Sequence, residues 1–222
     1  MRDSNGNGVP EGVGADIFGE LCTYNEGPRY SPMESGDEIA CQYRAMQALA
    51  GLMRARGDID GADEWEKKAS ELRRYFNEEW SIMPGDEDGP YVGALMTDGV
   101  TKNNDFALET SWFMPLKGLP YPGERCERFL DLITEKLGYG IGFPTAAVNI
   151  EAYTYLPDVY FRYDRVEDGW KWMKYLQDMR DVHHVGPSQG NNGYYPEVSF
   201  TMIGHIAESL MGIVQNAPEG TV

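Results

Sequence analysis

Residues 193–213 run GYYPEVSFTMIGHIAESLMGI, and the fold of the whole chain turns on this stretch. Pro196 has no N–H to leave unsatisfied and a φ suited to a first helical position, while Glu197 puts a carboxylate at the positive end of the macrodipole. A helix therefore starts at Pro196 and continues to Ile213. Val198, Phe200, Met202, Ile203, Ile206, Ala207, Leu210, Met211 and Ile213 cover most of its circumference, with His205 and Glu208 the only titratable groups beyond Glu197. A helix that is apolar nearly all round is expected to have protein on every side. This predicts an inner helix of an all-α toroid, with Glu197 held at its mouth.

Working back from that helix, the chain alternates between two helix types. The first helix opens on a capping-box pattern, Ser35-Gly36-Asp37-Glu38, and runs to about Arg56, where Gly57 stops it. Ile39, Tyr43, Met46, Ala50 and Met53 follow helical spacing, widened by Ala40, Ala45, Ala48 and Leu49, so this helix reads as mostly buried. The second, from an N-cap at Asp60 to about Trp80, has one apolar stripe of Trp65, Ala69, Leu72 and Phe76 and charge elsewhere, the pattern of an exposed helix. Phe106–Leu116 is again nearly uncharged, and the helix opened by Pro122 is again charged. Thr145–Tyr163 is aromatic and neutral apart from Glu151 and Asp158, with Pro157 as a kink. The sixth helix starts from Asp164, with Glu167 completing a capping box and Trp170, Met173 and Leu176 on one face. Seven helices alternating buried and exposed form a series of helical hairpins, read as one domain over residues 1–222. A short strand is expected near Tyr91–Met96.

Loop lengths place a working face on this array. Connections from a buried helix to an exposed one are short: Gly57–Ile59, Lys117–Tyr121 and the turn at Asp164. Connections into a buried helix are long, at 1–35, 81–104, 138–144 and 182–195. Layered hairpins then carry every long loop, and the N-terminus of every inner helix, on one rim, where function usually resides.

Composition narrows the partners. A net charge of -17 over 222 residues lacks the basic footprint that nucleic acid or an anionic membrane requires. No apolar run reaches the roughly 18 residues of a membrane span. Aromatic residues make up 12% of the chain, many in turn-rich segments, which suits the faces of sugars. Cys22, Cys41 and Cys126 show neither CxxC nor metal spacing and read as free thiols.

Carboxylates gather on the predicted rim: Glu26, Glu34, Asp37 and Glu38 at the first helix, Glu151 inside the fifth and Glu197 at the seventh. Glycoside hydrolysis needs one protonated and one ionised carboxyl group. Glu197 at a helix N-terminus is expected to stay ionised, as a base must. The same Glu197, and Asp37 with Glu38, also fit ordinary first-turn positions. The opening Asp3-Ser4-Asn5-Gly6-Asn7-Gly8-Val9-Pro10-Glu11 has the alternating oxygen side chains and central Gly of a calcium loop, with Asp3, Asn5, Asn7 and Glu11 as ligands, although Gly14 stands where a twelfth-position Glu belongs. His183, His184 and His205 show no zinc spacing, and neither a phosphate loop nor a GxSxG elbow is present.

With those features in place, the chain resembles the six-hairpin, (α/α)6-toroid glycosidases, a group with glucoamylase-like, debranching-enzyme-like and glucosylceramidase-like members. The resemblance is carried by the alternating helices, Asn5-Gly6-Asn7-Gly8-Val9-Pro10-Glu11, Cys22-Thr23-Tyr24-Asn25 and Tyr195-Pro196-Glu197-Val198-Ser199-Phe200. It implies a glycoside hydrolase, inverting, with Glu197 near the general base and Glu34 or Asp37 near the general acid. Tyr24, Trp112 and Tyr194 are the implied sugar platforms, with Glu151 also on the substrate side. Glucosylceramidase-like members carry an acidic Asp after a Thr-Tyr pair where this chain has Asn25, leaving the acid role to Glu26, Glu34 or Asp37. Such a toroid closes with twelve helices, so the seven here correspond to its C-terminal half. Inner helices without neighbours expose apolar faces, which implies an upstream segment or an oligomer partner. The rival class is a non-catalytic hairpin scaffold that binds a glycan or protein through the same rim.

Overall fold

Helix periodicity organises most of what the computed structural model describes, namely residues 3–11, 32–104, 108–137, 150–184 and 190–213. The described chain is mostly helical, with seven α-helices, and divides into two compact units, one within Met1–Phe129 and one within Leu130–Gln215.

The first unit is built on the helical hairpin of α1 (Gly36–Ala55) and α2 (Ile59–Tyr75). A small antiparallel sheet leads into it, ordered β1 (Pro32–Ser35), β2 (Ala94–Met96), β3 (Lys102–Asn103), with Glu34 opposite Leu95 and Ser35 opposite Ala94. β2 answers the strand expected near Tyr91–Met96. β1 and β3 are too short for any alternation to announce them. Ser35 makes no side-chain cap, contrary to the capping-box expectation, because it is the last residue of β1; the Gly36 N–H is met instead by the Gly93 carbonyl at 2.8 Å. A side chain at Gly36 would run into the buried Met114 thioether, which would have to shift to make room.

α2 is capped by Asp58, whose carboxylate accepts from the Gly61 N–H at 3.0 Å, two residues before the expected cap at Asp60. Its last turn widens into a π turn, Phe76–Trp80, which rotates Phe76 and Trp80 into the core. α3 (Leu108–Leu116) packs against α1 and buries Trp112, Met114 and Leu116. Two arginines tie loops to this frame. Arg73 donates to the carbonyls of Leu119 and Pro120, and Arg125 donates to Ser81 and Gly89 while lying 4.1 Å from the Tyr91 ring centroid. α4 (Glu124–Leu137) begins in this unit and ends in the second.

In the second unit, Leu130, Ile133 and Leu137 of α4 are buried, as are Leu156, Val159 and Tyr160 of α5 (Leu156–Arg162). Pro157 sits in the first turn of α5, where it starts a helix instead of kinking one, and a separate 3-10 turn, Ile150–Tyr153, precedes it. Residues 145–149 of the expected fifth helix lie outside the described chain. α6 (Val166–Asp178) pairs with α5 across Asp164, which adopts φ 59° and therefore forms the turn and not the helix cap. The buried face of α6 is Trp172, Met173 and Leu176; Trp170, expected on that face, is 54% exposed, and Trp172, two positions on, is the tryptophan that is buried. Trp172 stacks on Tyr153 with centroids 5.5 Å apart.

The last helix departs furthest from expectation. α7 (Pro196–Gly204) continues into a π turn, His205–Leu210, and buries Val198 and His205. Phe200, Ile203, Ile206 and Leu210, which recur at helical spacing, are exposed. The helix is apolar all round, as its sequence says, yet within its unit protein covers one side. α1 is likewise half covered, with Ile39, Ala40, Tyr43 and Ala50 inside and Ala45, Ala48 and Leu52 outside.

Candidate functional site

The mouth of α7 is assembled by the segment before it. The Gly193 N–H donates to the Arg180 carbonyl at 2.7 Å and the Asn192 N–H to the Val182 carbonyl at 2.9 Å, while the Asn192 side chain reaches the Met179 carbonyl. A Cβ at Gly193 would press on Arg180, so the close approach depends on glycine. These bonds deliver Tyr194 and Tyr195 to the start of the helix. Tyr194 is 79% exposed, and Tyr195 packs its ring against buried His184 at 4.6 Å. Half-buried Glu197 follows in the first turn and accepts a hydrogen bond from the Tyr155 hydroxyl at 3.1 Å. A carboxylate so placed meets the positive end of the helix dipole and a phenolic donor.

Glu34 has a different setting. It follows a register irregularity in β1 between Pro32 and Glu34, the kind of bulge that re-aims a side chain, and it is fully buried. Its Oε1 accepts from the side-chain amides of Asn5 at 2.6 Å and Asn7 at 2.9 Å, and its Oε2 from the Trp80 indole at 2.6 Å. Asn7 also reaches the Tyr75 hydroxyl at 3.4 Å. Glu34 is thus the peg on which the 3–11 loop hangs. Asp37, in the first turn of α1, is half-buried and keeps access to solvent that Glu34 lacks.

The 3–11 loop folds on its own oxygens. The Asp3 carboxylate accepts from the N–H groups of Asn7 and Gly8, Asn5 Oδ1 from Asn7 and Asn7 Oδ1 from Val9. Glu11 turns inward to the Ser4 hydroxyl and to the Ser4 and Asn5 N–H groups. As folded, the oxygens of Asp3, Asn5, Asn7 and Glu11 that calcium would use serve the loop's own donors. Among the described residues no group of three or more His, Cys, Asp or Glu side chains is arranged to hold a metal.

The other expected site residues are dispersed. Trp112 is fully buried in α3 and offers no open face for stacking. Glu151 lies in the 3-10 turn Ile150–Tyr153, and Tyr24 lies outside the described residues. Glu34, Asn5 and Asn7 are brought together, Tyr194 and Glu197 stand three residues apart at the start of α7, and Glu34 and Glu197 belong to different units.

Behind the mouth, buried His205 fixes α7 to α5. Its Nδ1 lies 2.9 Å from Asp158 Oδ1 and its Nε2 2.6 Å from the Thr154 carbonyl, so both contacts are hydrogen bonds when both nitrogens carry hydrogen. Ser209 donates to the same Asp158 oxygen at 3.1 Å. Burial alone would raise the Asp158 carboxyl, but the His205 hydrogen bond and charge, with Ser209 and Arg162, outweigh it and hold the group below its usual value. A depressed carboxyl adds stability above its unfolded pKa of about 3.9 and loses it as pH falls through the folded value. Melting temperature followed by circular dichroism is therefore expected to drop as pH is lowered from about 5 to 3. Asp158→Ala, which leaves the buried Nδ1–H without its acceptor, should cost about 2 kcal/mol at neutral pH and flatten that acid limb. An unchanged acid limb in the variant would remove Asp158 from this role.

Sequence reasoning missed Tyr155, Trp80 and Tyr75, whose partners lie far along the chain and leave no local pattern. No protein-family model matches the chain, and no curated protein shows significant similarity to its sequence.

Proposed function

We propose that this chain is a glycoside hydrolase of the six-hairpin (α/α)6-toroid kind, inverting, with Glu197 as the general base. The observation that carries it is the mouth of α7: a half-buried carboxylate in the first helical turn, held by the Tyr155 hydroxyl, three residues after the exposed Tyr194 ring. A carboxylate beside an open aromatic face is the combination that activating water next to a sugar calls for. The helical hairpins α1/α2 and α5/α6, each within its own unit, are the kind of element from which such a toroid is built. The acid in this proposal is Asp37, with Glu34 as its rival, because an acid must reach the leaving oxygen and Asp37 is the more accessible of the two.

The direct test incubates the chain with a panel of aryl glycosides and short oligosaccharides and follows the newborn anomer by proton NMR. Release of the anomer opposite to the substrate's supports inversion, and release of the same anomer points to a retaining enzyme. No hydrolysis across the panel favours the second class, a non-catalytic scaffold that binds glycans. One observation leans toward that class: Glu34 is locked by Asn5, Asn7 and Trp80 in a purely structural arrangement.

A further inference from the structure

The second unit leaves one side of its last helix bare. Phe200, Ile203, Ile206, Leu210, Met211 and Ile213 are between 37% and 70% exposed. Among the exposed side chains from Phe200 to Ile213, Glu208 alone carries a charge. The face is held outward and cannot roll into the unit, because Val198 and His205 are buried on the inner side and His205 is bound to Asp158 and to the Thr154 carbonyl.

The size of the patch points to a macromolecular partner. At the ordinary surface of such side chains these exposures amount to on the order of 600 Å² of apolar area, the upper end of the roughly 300–600 Å² patches that monomers carry. Two copies paired through it would bury about 1,200 Å², where stable specific interfaces begin.

Charge and shape select a second copy of this chain. The face has no row of carboxylates for a basic partner to follow, and a chain of net charge -17 does not draw an acidic one. Self-pairing needs projecting side chains and the room to receive them on the same surface. Both are here. Gly204 stands one turn on from Phe200, and a Cβ there would meet nothing within 4 Å; Ala207 stands one turn on from Ile203. The Phe200 ring of one copy can therefore lie over the Gly204–Ala207 notch of the other, with the Met211 thioether a suitable neighbour for an aromatic edge.

We propose that α7 and its π turn form the interface of a homodimer in which each copy covers the Phe200–Ile213 face of the other. The interface is independent of the hydrolase reading, because it uses neither Glu197 nor Tyr155 and involves no bond cleavage.

The test is sedimentation velocity of the full chain between about 1 and 100 µM, the range over which a small interface comes apart. A species of twice the chain mass is expected, dissociating on dilution. Raising the salt should tighten it, since the copies repel through their net charge while the contact itself is nearly uncharged. Ile203→Glu, at an exposed position, should raise the dissociation constant roughly 100-fold or more by placing a charge in the contact. Should that variant fail to fold, Phe200→Ala, at a position 70% exposed, carries the same direction at roughly tenfold. Trp170→Glu, at an exposed apolar position on α6, should leave the dimer intact and so excludes general stickiness. A monomer at every concentration, as when another protein or a further segment of chain covers the face, would overturn the proposal. So would open-ended aggregation, a dimer that neither face variant weakens, or one that salt loosens. Hydrolysis by a monomeric chain would leave the Glu197 reading standing and this one fallen; a dimer without hydrolysis would do the reverse.

Discussion

Replacing Glu197 by Gln is expected to lower the hydrolysis of any glycoside the chain cleaves by about 10²–10⁴-fold, the range for loss of a general acid or base, while leaving the melting temperature in place. The two halves of this expectation come from the same geometry. Glutamine keeps the size of the side chain and a carbonyl oxygen that still accepts from the Tyr155 hydroxyl, now at 3.1 Å from the carboxylate. It also keeps the segment whose backbone bonds to Arg180 and Val182 set the mouth, because no side chain takes part in those bonds. What is lost is the negative charge, and with it the ability to take a proton from water. Initial rates and a thermal melt on the same preparation decide the matter. Full hydrolysis by the variant would strip Glu197 of the base role. A fall in melting temperature that tracks the fall in rate would make it a structural first-turn residue, which is the ordinary use of Glu at a helix start.

The helices were legible because their signals are local. Pro196 with Glu197 starts α7 where the structure starts it, and Gly57, with φ 82°, ends the first hairpin helix in the left-handed conformation that a helix stop uses. The errors also have local causes. Asp58 and Asp60 are equally good N-caps by type, and only the position of Gly61, whose N–H meets Asp58, separates them. Trp170 flanks Met173 on one side of the helix and Trp172 flanks Leu176 on the other, about 60° and about 40° away, so a modest rotation of the assumed buried face exchanges the exposed residue for the core one. The π turns at Phe76–Trp80 and His205–Leu210 follow from packing, and no periodicity announces them.

The site was legible as a set of residue types but not as partners. Glu197 was visible as a first-turn carboxylate, whereas Tyr155, which holds it, lies in a turn before α5 and carried no cue. Glu34 was visible as one acidic residue among several. Its burial comes from the β1 irregularity and from Trp80, 46 residues away, and neither is encoded nearby. Apolar character around α7 correctly described its surface chemistry and wrongly described its surroundings, since periodicity records what a helix could bury and not what packs on it.

Glu34 gives the sharpest contrast with Glu197, because its removal should be felt in stability. Glu34→Ala is expected to destabilise the chain by about 3 kcal/mol in urea unfolding at neutral pH. The carboxylate takes three donors, and the Trp80 indole N–H, itself buried, has no solvent to turn to once Oε2 is gone. The Asn5 and Asn7 amides lie nearer the surface and can recruit water, so they add less, but their release frees the 3–11 loop. Amide hydrogen exchange should therefore rise at Asn7, Gly8 and Val9, whose N–H groups are held by the side chains of that loop. Glu34→Gln should recover little, since a single amide oxygen cannot face both the indole and the two asparagine amides. A Glu34→Leu, Trp80→Phe double variant, which removes donor and acceptor together, should recover more. The opposite sign would be equally informative. Acids poised for catalysis are often held at a cost to stability, and a chain made more stable by Glu34→Ala would return Glu34 to the acid role ahead of Asp37.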